Sequence, residues 1–345
     1  MSYMLREVHQ QPEIIRSLHR LESESIALLA HEIRQRGINL VITVARGSSH
    51  HAAVYAKYVL ETVNGLPVAA AEPSVFTLYG AKLGLERTLV LGISQSGEGL
   101  DVADYLLRAK SQGALTAAIT NEPGSKITTI ADSAILCHAE KEISLAATKT
   151  YTSALAAVCL LSAEIAGDRR QADGLLIAAD KMEQVLSLEP QLADLARGYA
   201  DLDQCFVISR GINLCTALES ALKMIESSYV GAQAYSAASF MHGPVAAVSE
   251  GSTCFLLAPD GVALDSILTV ADKIKERRAD SVIFAADDAA LAAAEVGIRM
   301  PSEIGEIVSP LVYITAVQLF VNYLARAKGC DPDHPRGLTK IILTR

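Results

Sequence analysis

The chain has 345 residues, half of them hydrophobic and a fifth charged, with a net charge of −9 at neutral pH. This length allows two domains with hydrophobic cores, while no run of about 18 apolar residues is present to span a membrane. The acidic balance, the lack of tryptophan and the lack of a basic patch argue against a nucleic-acid partner. We therefore expect a protein whose partners are small molecules.

The six cysteines are scattered along the chain without a Cys-x-x-Cys pair. This pattern favours buried free thiols in a reducing cytosol over a disulfide framework or a zinc site. The N-terminus has no basic segment followed by an apolar one, so we also expect no export signal. These features predict a cytoplasmic location.

The first third of the chain alternates between strand and helix patterns. Residues 1–34 are predicted to be helical, with Pro12 as a break or a helix start. A strand at 39–45 is followed by Arg46-Gly47-Ser48-Ser49 and a helix at 50–63. Further strands are predicted near 68–70, 88–93, 115–120 and 134–137. Strands that alternate with helices of a dozen residues indicate the α/β class, with a doubly wound parallel sheet.

The turn Ser94-Gln95-Ser96-Gly97 lies between the strand at 88–93 and an amphipathic helix at 100–112. Free amides and the dipole at a helix N-terminus favour an anion. Hydroxyl and amide donors without a Gly-x-x-x-x-Gly-Lys-Ser/Thr run suit a sugar phosphate better than a metal-bound nucleotide. A helix cap followed by a turn is an equally simple interpretation.

The pattern begins again after a long helix at 148–166 and a polar helical stretch at 170–197. A strand at 204–209 precedes Arg210-Gly211, residues 256–261 resemble 92–97, and Asp265 matches Asp101, all at an offset of 164 positions. A constant offset predicts an internal duplication of one α/β unit. Because Pro259 and Asp260 replace Gln95 and Ser96, only the first copy is expected to bind phosphate.

The sequence predicts five segments. They are an N-terminal helical segment (1–34), a first α/β domain that binds phosphate (35–168), a helical connector (169–198), a second α/β domain with the acid–base residues (199–329) and a C-terminal active-site tail (330–345).

Several charged residues could move protons on a sugar. Glu226 is a candidate base at helical spacing from Lys223, although an ordinary ion pair on an exposed helix face is the simpler interpretation. His242 lies in a loop before Gly243-Pro244, and Lys340 follows a polar loop near the C-terminus. Taken alone, His242 is equally compatible with a turn in a surface loop, and a lysine this close to the C-terminus is usually solvated.

Residues 140–150 precede the long helix and carry a further set of polar groups. Glu142, Thr148 and Lys149 could lend backbone amides to a ligand or simply cap that helix. The histidines at 50, 51, 138 and 334 have no ligand spacing, so we interpret them as structural and expect neither a metal nor an organic cofactor.

These motifs together resemble the sugar isomerase (SIS) family, and within it the isomerase half of glucosamine-6-phosphate synthase. The resemblance runs from Arg6 to Lys340. It depends on motifs in a shared order: Gly47-Ser48-Ser49, Ser94-Gln95-Ser96-Gly97-Glu98, Ala146-Ala147-Thr148-Lys149, Glu219 to Glu226, His242-Gly243-Pro244 and Pro335 to Lys340. It implies two tandem doubly wound, flavodoxin-like SIS domains.

The resemblance also implies roles for individual residues. Glu226 would move a proton between C1 and C2 beside Lys223, His242 from the partner subunit of a homodimer would assist ring opening, and Lys340 would contact the open-chain sugar and could form a Schiff base. The residues implied to bind phosphate and sugar are Gly47, Ser49, Ser94, Gln95, Ser96, Gly97, Leu145 and Ala147.

Some features differ from the synthase. The printed sequence has no glutaminase domain, Gly99 replaces a threonine and Ala147 replaces a serine. The chain looks more like stand-alone type II deaminases that convert glucosamine 6-phosphate to fructose 6-phosphate and ammonia. Alternatives are a deaminase or deglycase for galactosamine 6-phosphate or fructosamine 6-phosphate, and a non-catalytic sugar-phosphate sensor.

Overall fold

The computed structural model describes residues 1–340, which contain two five-stranded parallel sheets. The predicted α/β class and the two tandem doubly wound domains are confirmed. The first sheet is built from β1 (Leu40–Ala45), β2 (Val68–Ala70), β3 (Thr88–Ile93), β4 (Leu115–Thr120) and β5 (Ser133–Leu136). The second sheet is built from β6 (Gln204–Ser209), β7 (Gly231–Ser236), β8 (Thr253–Ala258), β9 (Asp280–Ala285) and β10 (Val296–Arg299).

Both sheets have the same strand order. The first is β2-β1-β3-β4-β5, and the second, read in the same direction, is β7-β6-β8-β9-β10. This is the 2-1-3-4-5 order of flavodoxin-like folds, whose ligands bind where the order reverses, at the carboxyl ends of the first and third strands. In the first sheet Ala45 pairs with Ile93, so β1 and β3 end at the same level.

Helices precede, connect and cover the sheets. They are α1 (Tyr3–Leu21), α2 (Ser23–Gln35), α3 (Gly47–Asn64), α4 (Ser74–Thr77), α5 (Leu100–Ser111), α6 (Lys126–Ile130), α7 (Lys149–Ala166), α8 (Arg169–Leu186), α9 (Glu189–Gly198), α10 (Leu214–Ser228), α11 (Ala237–Met241), α12 (Leu264–Glu276), α13 (Asp288–Ala293) and α14 (Ser309–Ala327). Helices α7 and α14 are apolar around most of their circumference and are almost wholly buried. A helix that is apolar on all sides packs inside a hydrophobic core.

The described chain forms two compact units. The first-sheet unit contains residues 13–142, 147–176 and 338–340, and the second-sheet unit contains residues 1–12, 143–146 and 177–337. The segment boundaries expected from sequence stay a prediction. Residues 341–345 of the predicted tail lie outside the described residues.

Each unit has its own hydrophobic core. In the first, Val44 and Val90 of the sheet pack with Leu106 of α5 and Ile127 of α6. In the second, residues of β6, β8 and β9 pack with α12. On the other face, α10 packs against β6, β7 and α14, so its orientation is set on several sides. This packing makes α10 a rigid platform for the side chains that it carries.

The duplication is visible in the strand positions, and the predicted offset of 164 is kept between the paired strands. Ile42 pairs with Val90 in the first sheet, and Phe206 pairs with Cys254, each 164 residues further on, in the second. The helices that follow begin at Leu100 and Leu264, again 164 apart. The turns after β3 and β8 therefore have the same chain length between matched positions.

Pro12 neither breaks α1 nor begins it, contrary to the expectation from sequence, because it lies inside the helix. A proline in this position cannot donate to the carbonyl four residues earlier. The Gln11 side-chain amide donates to that carbonyl, Val8 O, at 3.1 Å and also to Gln318 Oε1 at 2.8 Å. A side chain thus replaces the missing backbone donor, and the break in the N-terminal region falls at Glu22 instead.

No helix within residues 1–340 combines the length and the apolar character needed to cross a membrane. The cysteines are free thiols, and all but Cys330 are buried, as their apolar sequence context predicts. Burial raises the pKa of the Cys159 thiol to about 12, so this group is a packing residue rather than a nucleophile.

Asp132 ties β4, β5 and α5 together and generates a stability prediction. Its Oδ2 accepts from Thr116 N at 3.0 Å and from Thr116 Oγ1 at 2.9 Å, and its Oδ1 pairs with Lys110 Nζ at 2.8 Å. Burial alone would raise the pKa of Asp132, but the contacts with Lys110 and Thr116 outweigh it and lower the pKa.

We expect Asp132→Asn to lower the free energy of unfolding by about 1–2 kcal/mol at pH 7, since charge-assisted hydrogen bonds are weakened. A depressed pKa stabilises the fold above the ordinary value of 3.8 and loses that contribution as pH falls through the folded-state pKa. The difference in free energy of unfolding between wild type and Asp132→Asn, measured by urea titration, should therefore be smaller at pH 3 than at pH 7. Asp104→Asn, at an exposed pair with Arg108, is the control, and an equal loss there would contradict the assignment.

Candidate active site

The turn after β3 contains four of the residues expected to bind phosphate. The Ser94 hydroxyl accepts from Gly97 N at 3.2 Å, and the Ser96 hydroxyl accepts from Glu98 N at 3.3 Å. Each hydroxyl keeps its own proton to donate. Gln95 anchors the turn, because its carbonyl accepts from Asn121 N at 3.1 Å. The turn is thus closed by hydrogen bonds of its own, as a cap and turn would be, and its two serine hydroxyls can still donate to a ligand.

Gly97 is required by this turn for two reasons. Its φ of +66° lies in the left-handed region, and a Cβ at this position would lie 2.1 Å from Ser125 Oγ. The turn can therefore close only with glycine. Helix α5 follows with Gly99 as N-cap and no side-chain cap, which leaves amides of its first turn available to an anion.

The turn after β1 is joined to the start of α5 by an ion pair. Arg46 Nε lies 2.7 Å from Asp101 Oδ2, and Asp101 is buried. Because β1 and β3 end at the same level, this pair places Gly47 and half-buried Ser49 beside the turn after β3. A Cβ added to Gly47 would meet nothing within 4 Å, so the space above it is open. Sequence reasoning missed Arg46, although its match with Arg210 at the duplication offset was a signal.

The equivalent turn in the second copy is shaped differently. It contains Gly261, where a Cβ would lie 2.9 Å from Glu306 Oε2. A carboxylate therefore occupies the space next to this turn, beside Asp260. Negative charge at that place repels phosphate, which supports the expectation that only the first copy binds it.

Lys223 lies at the centre of a buried charge triad on α10. Its Nζ lies 3.2 Å from Glu219 Oε1 and 2.6 Å from Glu226 Oε2. The side chains of Lys223 and Glu219 are fully buried, whereas that of Glu226 is 22% exposed. The sequence favoured an ordinary ion pair on an exposed helix face, and this interpretation was wrong. The reason is that α10 packs against β6, β7 and α14 and leaves little of its surface free.

The triad determines the charge of its members. Burial alone would lower the pKa of Lys223, but the carboxylates of Glu219 and Glu226 outweigh it and raise the pKa above the ordinary value for lysine. The lysine is thus a fixed cation. It holds the Glu226 carboxylate in one orientation while part of that carboxylate remains exposed to a ligand.

Glu142 performs two functions in the first-sheet unit. Its Oε1 accepts from Thr148 N at 2.9 Å and from Thr150 N at 3.2 Å, so it caps the N-terminus of α7. Its Oε2 lies 2.9 Å from Lys340 Nζ. Lys340 is 28% exposed, so its amine is neither a freely solvated surface group nor a fully buried one. The sequence singled out both residues but could not show that they pair.

The remaining predicted residues are placed as follows. His242 is exposed directly after α11, and its ring has no hydrogen-bond partner within residues 1–340. Leu145 and Ala147 are both half-buried and lie just before α7, Leu145 in the second-sheet unit and Ala147 in the first. Across the described part of the chain, no group of three or more His, Cys, Asp or Glu side chains could hold a metal ion.

We expect Lys223→Met to lower the free energy of unfolding by about 3–5 kcal/mol, because it leaves two carboxylates without their buried counter-ion. Chemical denaturation at pH 7 measures this loss. The matched control is Lys273→Met, which removes a lysine from an exposed pair with Glu276 at the same helical spacing. That change should cost under about 0.5 kcal/mol. Equal losses in the two variants would contradict a buried role for the triad.

The chain is similar to known proteins over its whole length. It is 34% identical over 349 aligned residues to the glutamine–fructose-6-phosphate aminotransferase (isomerizing) of Thermococcus kodakarensis, covering 99% of this chain and 58% of that protein. The chain thus spans under two thirds of that relative.

Two solved structures have the same fold. One, from Silicibacter pomeroyi, carries the provisional name phosphosugar isomerase; it is 32% identical, with a TM-score of 0.84, and the match covers 96% of this chain and 100% of that one. The other is a glucosamine-6-phosphate deaminase from Thermotoga maritima, with a TM-score of 0.76 over 99% of this chain and 100% of that one. At 20% identity, it shows the fold alone.

The SIS domain family model matches the chain twice, at residues 32–163 and 199–327. The two matches contain the two parallel sheets, with the serine-rich turn in the first and the charge triad in the second. They cover well over half of the chain and repeat the duplication seen in the strand order. The chain belongs to the SIS domain family.

Proposed function

We propose that this protein is a phosphosugar enzyme that converts glucosamine 6-phosphate and water to fructose 6-phosphate and ammonia. The observation that carries the proposal is the triad on α10, in which a fixed lysine cation orients a partly exposed carboxylate. A positioned carboxylate of this kind is suited to moving a proton between adjacent carbons. The names of the relative and of the 32%-identical structural neighbour, which concern fructose 6-phosphate and phosphosugars, support the substrate class.

In the proposed reaction, the phosphate is bound by the hydroxyls and amides that follow β1 and β3. His242 assists ring opening, which gives an aldehyde at C1 beside the amine on C2. Glu226 takes the proton from C2 and returns it to C1, and a proton passes from the C2 nitrogen to O1, so that C1 becomes a primary alcohol and C2 an imine. Water then adds to C2 and ammonia leaves, which balances the reaction.

Lys340 offers a second route for the last step. Its amine can replace ammonia at C2, forming a Schiff base that water hydrolyses to the ketose. An amine attacks carbon with its lone pair, so Nζ must carry no extra proton when it attacks. Glu142 could accept that proton at 2.9 Å.

The direct test is to incubate purified protein with glucosamine 6-phosphate and measure ammonia and fructose 6-phosphate in equal amounts. We expect Glu226→Gln to lower kcat by at least ~10²-fold, the usual contribution of a positioned general base. Glu276→Gln removes a carboxylate from the exposed pair with Lys273 and should leave kcat unchanged.

Different outcomes separate the alternatives. Ammonia from galactosamine 6-phosphate or product from fructosamine 6-phosphate, but not from glucosamine 6-phosphate, would move the activity to another amino sugar. Binding of these esters without turnover would indicate a sensor and contradict an enzyme.

We also propose a homodimer in which His242 of the partner subunit completes each site. The support is that His242 is exposed and makes no side-chain hydrogen bond within residues 1–340, although a group that opens a sugar ring must be positioned. A two-fold dimer exchanges such residues reciprocally.

Mixing two inactive variants tests this arrangement. Glu226→Gln and His242→Asn subunits, combined after reversible dissociation, should recover about a quarter of the wild-type activity, since half of the dimers are mixed and each has one intact site. Remixing each variant with itself is the control. Failure to recover activity in mixed dimers confirmed by mass spectrometry would place His242 in the same subunit as Glu226.

A further inference from the structure

Tyr229, at the end of α10, has an unusual backbone conformation. It is the C-cap of the helix and has a φ of +56°, in the left-handed region that favours glycine. The equivalent helix in the first copy is α3, whose C-cap is Gly65 with a φ of +64°. Gly65 and Tyr229 are 164 residues apart, the offset that relates β1 to β6. One copy thus uses the unstrained residue, whereas the other keeps a tyrosine that costs on the order of 1 kcal/mol.

The Tyr229 side chain contacts Arg336, in the loop near the C-terminus. The Tyr229 hydroxyl accepts from Arg336 N at 2.8 Å, and the Arg336 guanidinium lies over the ring, with Cζ 4.1 Å from the ring centroid. One contact fixes the backbone of Arg336 and the other fixes its side chain. A hydrogen bond and a cation–π contact of this kind each stabilise by about 0.5–1.5 kcal/mol.

The loop is held at separate points rather than by a regular element. Residues 328–340 contain no helix and no strand, so no ladder of backbone hydrogen bonds holds them. Asp333 accepts from Tyr3 N and Met4 N, both at 2.8 Å, at the start of α1. Lys340 Nζ pairs with Glu142 Oε2 at 2.9 Å. Arg336 lies between these two points, four residues before Lys340, so holding it limits the paths that the chain can take into Lys340.

We infer that Tyr229 is a positioning residue for Lys340, because it holds Arg336 against the C-terminal end of α10, three residues after Glu226. The backbone strain at Tyr229 is retained because glycine, which would relieve it, has no side chain to hold the loop. This inference rests on the proposed function, in which the Lys340 amine acts on the sugar.

The first copy suggests the variant that tests this role. Tyr229→Gly places the residue of α3 at the end of α10, so it relieves the left-handed conformation while removing both contacts with Arg336. We expect a Tm within about 5 °C of wild type, because the relieved strain offsets part of the two lost contacts, a kcat for ammonia release about tenfold lower, and an unchanged inhibition constant for inorganic phosphate, which reports on the turns after β1 and β3.

Hydrogen exchange provides a readout independent of activity. Amides of the peptide 330–340 should exchange about tenfold faster in Tyr229→Gly, because each lost contact contributes roughly a factor of several. Tyr229→Phe keeps the ring and loses the hydroxyl, so both of its effects should be intermediate. Tyr235→Phe is the control, because the Tyr235 hydroxyl donates to Gln233 Oε1 at 2.8 Å, within the same strand and away from the loop.

The outcomes separate this inference from the proposed function. Wild-type kcat and wild-type exchange in Tyr229→Gly would overturn the inference while leaving ammonia release by the wild type intact. A fall in Tm of more than about 5 °C together with a fall in kcat would also overturn it, because it would show a merely structural role. If the wild type releases no ammonia, the proposed function fails. Faster hydrogen exchange of residues 330–340 in Tyr229→Gly would still show that the contact between Tyr229 and Arg336 holds the loop.

Discussion

The candidate chemistry depends on one interaction, the contact of a buried lysine ammonium with two carboxylates along a single helix. Removing three charged groups from water is unfavourable unless each is paired, so the surrounding elements must hold the pairing geometry closely. Helix α10 meets this condition because β6, β7 and α14 pack around it. The partly exposed member, Glu226, is consequently presented in one orientation. A partly exposed side chain is thus positioned by the packing around its helix.

Much of the fold could be predicted from sequence because its signals are local. Continuous apolar runs followed by small polar residues located most of the strands and the turn at Ser94. The burial of Glu226 could not be predicted in this way, since spacing on a helix does not show which face another element covers. The pairing of Glu142 with Lys340 spans 198 positions and has no local signature. The continuity of α1 through Pro12 likewise depends on a side chain, Gln11, that no helix rule would single out.

The two copies of the α/β unit show how the same framework can carry different chemistry. The first keeps Gly97 and a turn of donors, and the second has Gly261 in a turn beside the Glu306 carboxylate. At the ends of α3 and α10 the difference runs the other way, since the relaxed glycine is in the first copy and a strained tyrosine in the second. Both differences lie at the ends of elements rather than inside the strands that the two copies share.

The Glu306 carboxylate beside Gly261 limits how the second copy could change again. Point substitutions could restore serine side chains in the turn after β8, but an oxyanion there would still meet the negative charge of Glu306. Regaining an anion site would take loss of that charge together with new donors. The asymmetry between the halves is therefore encoded in more than one residue, and it would resist reversal by any single amino-acid exchange.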